Sequence, residues 1–278
     1  MNMNWKVKSF AFQCVDTFSL HPILYFARKH ITRRSRLDIP AKCRSWLVHQ
    51  ENLAALQRPD VFEFGAGTDL SENIFLSQSF ASQTAVDLFE LLDIDLVNEA
   101  ALQISKRYPA IDYHSMAGVS DIERYYNVRY LAPFDAARTP FGDDAFHACL
   151  STDTLEHIPE TSIIAIFQEL RRIIRPEGLI SAVIDYSDHY AYTDKSIGPL
   201  NYLQYSVEEF KMYNHSSYSQ NRLRHHDYER IFRGLGYRFI RNEALDVAEM
   251  PLRISSHFDR SEPSLCARRG IFLLQNSK

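Results

Sequence analysis

The order of apolar runs in this chain predicts an α/β fold built on a mostly parallel sheet. Three observations lead there. Strand-like and helix-like segments alternate from about residue 58 onward. The first apolar strand runs straight into a Gly-x-Gly turn, Gly65-Ala66-Gly67, with a polar helix start at Thr68-Asp69. The second strand closes on an acidic residue, Asp87, 20 positions after Gly67. A glycine turn at the carboxyl end of a parallel strand lets a ligand lie against the backbone, with no Cβ in the way.

The elements follow in order. Residues 61–64 form the first strand, and 70–78 a helix with Leu70, Ile74 and Phe75 on one side. A second strand spans 84–88, and a helix spans 98–107. Residues 112–129 read as irregular and lead to a third strand at Tyr130-Leu131. The fourth strand covers 145–150. In 161–174, Ile163, Ile166, Phe167, Leu170, Ile173 and Ile174 recur at helical spacing. Arg171, Arg172 and Arg175 favour the end of that helix, and Pro176 and Gly178 are expected to stop it. The fifth strand covers 179–184 and is followed by Asp185. Some forty residues rich in Tyr, His, Ser and Asn come next, about 186–226, and read as a lid over the acceptor. The fold resumes with a helix near 227–235, a turn at Gly236, and strands near 237–241 and 269–274.

Composition narrows the class. The chain has 278 residues, 45% hydrophobic and 24% charged, which suits one domain with elaborations. We divide it into an N-terminal helical extension, 1–57, and a main domain, 58–278. A net charge of −4 argues against a nucleic-acid binder. Cys14, Cys43, Cys149 and Cys266 are far apart with no CxxC pair, so they read as reduced thiols of a cytoplasmic protein. The opening residues lack the apolar core and cleavage site of a signal peptide, and no stretch reaches 18 apolar residues. The first fifty residues are nonetheless basic, with nine lysines and arginines against Asp16 and Asp38. Residues 10–36 combine Phe10, Phe12, Val15, Phe18, Ile23, Leu24 and Phe26 with Arg28-Lys29-His30 and Arg33-Arg34-Ser35-Arg36. Such a segment can dock peripherally on the anionic inner face of a membrane, or it can be a helical cap with a solvated basic edge.

The cofactor is narrowed by what the turn lacks. A dinucleotide fingerprint needs a third glycine where Leu70 stands, and Asp69 repels a pyrophosphate. No Gly-Lys-Ser/Thr of a P-loop is present. Acidic residues on both sides of the glycines, Glu63 and Asp69, suit a cationic nucleoside, and S-adenosylmethionine (SAM) carries an ammonium, a sulfonium and no phosphate. Asp87 can accept hydrogen bonds from both hydroxyls of an adenosine ribose.

With these residues in place, the chain resembles class I SAM-dependent methyltransferases of the type 11 group. The resemblance rests on Glu63/Gly65/Gly67, on Asp87, on Pro140/Phe141/Asp143/Phe146, on Leu155-Glu156-His157-Ile158, and on the run from Leu170 to Gly178 before the fifth strand. It covers about 58–186, with His147 and Glu177 departing from the usual residues. It implies a Rossmann-like seven-stranded sheet with one antiparallel strand. It places SAM against Glu63, Gly65, Ala66, Gly67, Asp87 and Leu88, with Asp135 and Ala136 by the adenine and Ser151 and Thr152 at the methionine end. Beyond the fifth strand, Asp188-His189, Ile197, the run from Asn201 to Ser206, Asn221-Arg222-Leu223-Arg224 and Asp227-Tyr228 are similar to methyltransferases encoded with bacterial surface-polysaccharide genes. That likeness implies O-methylation of a sugar or glycan.

A sugar hydroxyl barely ionises near neutral pH, so the reaction calls for a general base. His189, just past the fifth strand, is the first candidate, with Asp185 or Asp188 to orient its ring. His157 is the rival. Tyr186, Tyr190, Tyr192, Asn201, Tyr205 and Arg222 can form an acceptor surface. Asp153 and Asp185 can converge on a cation as in cation-dependent methyltransferases, but spacing supplies no third ligand, so no metal is expected. Other readings are a small-metabolite or lipid-linked acceptor, a SAM-fold binding partner without turnover, and a nicotinamide dehydrogenase, the last disfavoured by Asp69 and Leu70.

Overall fold

The computed structural model describes residues 3–20, 37 and 39–278. Two N-terminal helices, α1 (Trp5–Thr17) and α2 (Ile39–Asn52), precede the sheet. Then follow β1 (Asp60–Phe64), α3 (Ser71–Leu76), β2 (Ser82–Val86), α4 (Ile94–Arg107), α5 (Val119–Tyr126), β3 (Val128–Leu131) and β4 (Phe146–Thr152). The chain continues with α6 (Glu160–Ile173), β5 (Ile174–Asp185), α7 (Val207–Lys211), α8 (His225–Gly234), β6 (Arg238–Leu245) and β7 (Arg269–Gln275). Short 3₁₀ turns sit at Leu155–His157, His189–Tyr192 and Asn201–Gln204.

The seven strands lie in the order β3-β2-β1-β4-β5-β7-β6. The first five positions are mutually parallel, and β7 runs antiparallel to both β5 and β6. From β1 the chain winds one way through β2 and β3, then returns to β4 and β5 on the other side. The crevice beyond the carboxyl ends of β1 and β4 is therefore the switch point at which open α/β sheets bind ligands.

Strand alternation divides the core into two faces. Val61, Ala85, Ala148 and Leu150 pack against Trp46 of α2, Ile74 of α3 and Val97, Ala100 and Ile104 of α4. Phe62, Phe64, Val86, Cys149 and Ile180 face the other way, against Ile163, Phe167 and Leu170 of α6 and Phe232 of α8. A third cluster, Leu200, Tyr202, Leu203, Phe210, Leu265 and Cys266, gives the segment after β5 a core of its own, shared with the β6–β7 connection.

Two expectations are corrected. Part of the stretch 112–129 read as irregular is helical, as α5, which hides only Ile122 and Tyr126 and so gives a weak periodic signal. Pro176 and Gly178 do not end the helix before β5. The backbone is already extended at Ile174, and β5 pairs from there with a register shift between Phe146 and Ala148. Gly178 sits inside that irregularity, where a Cβ would come within 2.8 Å of the carbonyls of Arg175 and His147. No helix among the described residues is long and apolar enough to cross a membrane.

The N-terminal helices close over the carboxyl end of the sheet. Trp5 of α1 is buried against the rings of Tyr190, Tyr205 and Tyr213, and its backbone N–H donates to the Asp194 carboxylate at 2.8 Å. Phe12 stacks on Tyr218 at 4.7 Å, so it is not free to enter a membrane. Val7, Phe10 and Phe18 are exposed. The rest of the basic aromatic segment, Ile23, Leu24, Phe26 and Arg28 to Arg36, lies outside the described residues.

Candidate active site

Two adjoining cavities open at the switch point. One, of about 310 Å³, lies between α2 and the turn after β1 and is lined by Lys42, Trp46, Glu63, Asp69, Glu72 and Thr152 among others. The second, of about 930 Å³, runs past Asp87, Leu88, Phe134, Asp135 and Ala136 to His157 and His189. Gly65, Gly67, Asp153 and Thr154 border both.

The glycine turn explains the shape of this boundary. Gly65 (φ +80°) is in the left-handed region, and a Cβ there would lie 2.3 Å from the Thr154 side chain. Gly67 (φ +71°) faces open space instead, so its backbone is bare toward a ligand. Leu70 takes φ +47° at the entry to α3, and Asp69 accepts from Ser71 N–H at 3.0 Å and pairs with Lys42 at 2.5 Å.

The smaller cavity is acidic. Glu63 is buried and accepts a hydrogen bond from the Asn73 amide. Burial, aided by the charges of Asp87 and Asp69, pushes its carboxyl up to about 7, against the pull of the Asn73 bond. Glu72 is buried too, and burial together with Glu63 holds it well above the usual carboxylate range. Its neighbour His49, 3.3 Å away, is fixed between Ser181 at 2.7 Å and Thr152 at 2.8 Å. Burial first, and Arg269 second, lower its pKa to about 3, so the ring is neutral.

In the larger cavity, Asp87 accepts from Gly67 N–H at 3.0 Å on one oxygen and from Phe89 N–H at 3.2 Å on the other. Those bonds fix the carboxylate plane, and each oxygen keeps a lone pair for a further donor. Leu88 is exposed on the cavity wall beside it. Asp135 accepts from Ala137 N–H at 2.9 Å and, with Ala136, lines the same wall.

A second cluster lies where β4 and β5 end. His157 bonds the Ser219 carbonyl through Nδ1 at 2.7 Å, which fixes the proton on that nitrogen and leaves Nε2 with a free lone pair. Burial, and to a lesser degree His189, lower its pKa. The His157 and His189 rings lie 4.9 Å apart. Asp185 reaches His189 Nε2 at 3.3 Å and also accepts from Tyr192. Burial would raise Asp185, but the bonds from His189 and Tyr192 outweigh it and hold the carboxylate below its ordinary value. Asp153, at the junction of the cavities, is pushed up to about 6 by desolvation and by Asp185.

Several sequence-predicted residues sit elsewhere. Ser151 points to the opposite sheet face from Thr152, is buried, and lines neither cavity; alternation along β4 forbids both from facing the same way. Asp188 does not orient His189. Its oxygens accept from Tyr190 N–H at 2.9 Å and the Asn201 amide at 3.0 Å, capping the turn that carries His189. Arg222 is buried over the Phe210 ring and donates to the Tyr202 and Tyr205 carbonyls, so it belongs to the lid core and not to an acceptor surface. Tyr186, Tyr190 and Asn201 are buried likewise.

Sequence reasoning missed Lys42, His49, Glu72, Thr154 and the placement of Glu156. Lys42 and His49 lie in α2, far from the glycine turn in sequence, and no local pattern announces them. Thr154 was readable in part, since a Gly at position 65 implies a close neighbour.

Residues 62–182 match a family model described as a methyltransferase domain. No curated protein matches the chain. Among solved structures, one chain of a complex between the Trm112 methyltransferase activator and a methyltransferase of Haloferax volcanii is 13% identical, with a TM-score of 0.52 over 91% of this chain and 98% of that one. The PH0226 protein of Pyrococcus horikoshii is 14% identical, with a TM-score of 0.50 over 87% of this chain and 93% of that one. These likenesses are likenesses of fold. The domain match falls on β1 through β5, which supply most of the lining of both cavities, and the sheet order is that of class I methyltransferases. Residues 62–182 are accordingly a methyltransferase domain on a class I, Rossmann-like fold, the part of the chain that makes it a SAM-dependent enzyme.

Proposed function

We propose that the protein methylates a hydroxyl of a sugar or glycan in the biosynthesis of a surface polysaccharide. The observation that carries this reading is the imidazole pair His157 and His189, backed by Asp185, at the mouth of the larger cavity. A base placed there is needed for a neutral hydroxyl and superfluous for an acceptor that is already ionised.

The residues present fit SAM. The acidic smaller cavity suits the methionine ammonium, with Glu63 and Glu72 as its acceptors and Lys42 free to turn from Asp69 to the methionine carboxylate. Asp87 takes the ribose hydroxyls, the bare backbone of Gly67 the space beside them, and Leu88, Asp135 and Ala136 the adenine. When bound, SAM supplies an electrophilic methyl group on a sulfonium, passed to a nucleophilic oxygen while the carbon–sulfur pair stays on sulfur. The acceptor hydroxyl's proton goes to an imidazole nitrogen of the pair, and Asp185 stabilises the resulting charge on His189. The protein also excludes water. Tyr218 donates to the His189 carbonyl at 2.7 Å, and Lys8 of α1 donates to the Tyr218 hydroxyl at 2.7 Å, so α1 clamps the lid from outside.

A second reading keeps the chemistry and changes the acceptor. Ile158, Pro159, Ala165 and Ile166 make one apolar wall of the larger cavity, which favours a lipid-linked intermediate over a free sugar. The exposed Val7 and Phe10 on α1 would then face the membrane that carries it. Incubation with labelled SAM against nucleotide sugars and lipid-linked glycans, read by mass spectrometry, tests both. A mass increase of one methyl on a hydroxyl supports the proposal; exclusive methylation of an amine or carbon acceptor contradicts it.

A further inference from the structure

Glu156, His157 and His189 each bring one ligand atom into a group whose members all lie within 4.8 Å of one another. The group joins two separate pieces of chain. Glu156 and His157 sit in the 3₁₀ turn after β4, and His189 comes from the lid. Asn221 ties the two together, donating to the carbonyls of Leu155 and Ile158 at 2.7 and 2.8 Å.

Glu156 is the unusual member. It is 3% exposed, and neither carboxylate oxygen receives a hydrogen bond of normal geometry among the described residues, with only the backbone N–H groups of Glu156 and Asp185 turned toward it. A buried carboxyl so weakly partnered is rare, because it loses its hydration and gains little in exchange. None of the roles assigned above uses it. His189 Nε2 also lacks a hydrogen bond of normal geometry, with Asp185 standing 3.3 Å away. His157 presents its free Nε2 because Nδ1 is committed to the Ser219 carbonyl. An imidazole anchored through its other nitrogen to a carbonyl, as His157 is, is how metal-bound histidines are held.

We propose that Glu156, His157 and His189 form a binding site for a divalent first-row transition ion, which positions and acidifies the acceptor hydroxyl. One carboxylate and two imidazoles suit Mn²⁺, Fe²⁺, Co²⁺ or Zn²⁺, whereas Mg²⁺ and Ca²⁺ prefer oxygen ligands alone. Three protein ligands leave coordination positions open, and His157 and His189 face the larger cavity from which an acceptor would approach. Asp153 and Asp185 add negative charge around the site without being counted as ligands. The two histidines then act as ligands in place of one acting as free base, and the hydroxyl proton leaves to water at the cavity mouth. Bridging the turn to the lid, the ion would also fix the lid's position. The role of the ion rests on the hydroxyl-acceptor reading above; the site itself does not.

The test uses the full chain stripped with a chelator. Mn²⁺ binding is followed by electron paramagnetic resonance and Zn²⁺ and Mg²⁺ binding by calorimetry, with neither SAM nor acceptor present. The expected result is one Mn²⁺ or Zn²⁺ per chain, Mg²⁺ bound at least tenfold more weakly, and a tenfold or greater loss of Mn²⁺ affinity in both Glu156→Gln and His189→Gln. His157→Gln, at an exposed position, decides the matter should either of the others fail to fold. No stoichiometric binding, a preference for Mg²⁺, or binding that all folded variants retain would overturn the site. SAM affinity is measured on the same stripped protein. Its absence would count against the donor reading and leave the cation site standing.

Discussion

The donor half of the cleft and the acceptor half are built differently. The proposed donor half, from β1 to Asp87, is tightly turned backbone: Gly65 pressed on Thr154, Gly67 open, and a carboxylate braced by two N–H groups. Most of its chemistry is local, since Glu63, the two glycines and Asp87 lie in one short stretch of sequence, and Thr154 is the distant neighbour that presses on Gly65. The acceptor half is assembled from distance. His157 comes from the turn after β4, His189 from the lid, and Trp5, Lys8 and Phe12 from a helix nearly two hundred residues earlier in the chain. A site that must bind one invariant cofactor can be written in a short motif, and a site that must fit a particular acceptor is written in tertiary contacts.

The sharpest way to break this division is to damage each half alone. His189→Ala should lower turnover by about 10²–10⁴-fold, whether the ring acts as base or as ligand, while SAM affinity stays within about twofold. A parallel loss of SAM binding would mean that the halves are not separable. Asp87→Ala should weaken SAM by roughly 10–10²-fold, through loss of two charge-assisted hydrogen bonds, with no effect on the fold of the lid. The lid in turn depends on Arg224, fully buried and donating to the Tyr186 carbonyl at 2.9 Å and the Leu265 carbonyl at 2.7 Å. Arg224→Met leaves those carbonyls without their donor, and should cost on the order of 3 kcal/mol in denaturant unfolding. Near-neutral stability would show that the lid core stands without it.

The smallest effect is one of pH. Glu63 sits at about 7 in the free protein, raised by burial and then by the charges of Asp87 and Asp69. Between its ordinary 4.5 and about 7 the native state holds a proton that the unfolded chain has lost, so its contribution to stability falls as pH rises through that window. A cationic ligand favours the ionised form. SAM affinity should therefore rise with pH up to about 7 and level off above it, with proton release on binding seen by calorimetry in buffers of different ionisation heat. Glu63→Gln should flatten the profile, and an unchanged slope would assign the titration to another group.

How far the sequence could be read follows the same division. Gly65, Gly67 and Asp87 were visible because a turn, a strand end and a spacing carry their meaning in one dimension. Ser151 failed for a reason also one-dimensional, since adjacent strand residues face opposite ways and only Thr152 could look into the cavity. Asp188 adjoins His189 in sequence but caps the turn that starts there, while Asp185, at the end of β5, is the carboxylate beside the ring. Lys42 and His49 carry no local signal, because α2 brings Lys42 to the cavity and His49 beside Glu72 only when the sheet is formed, and Glu72, in α3, belongs to no motif. Sequence position suggests Asp153 and Asp185 as the pair to converge on a cation, but the potential ligand atoms that lie together are those of Glu156 and the two histidines.

The account turns on the donor cavity between the glycine turn and Asp87. Calorimetric titration of the full chain and of Asp87→Ala with SAM and with S-adenosylhomocysteine tests it most directly. The expected outcome is saturable one-to-one binding of both ligands by the native protein, weakened at least tenfold by the substitution. Heat-silent titrations with folded native protein, or equal affinities in the two proteins, would contradict it.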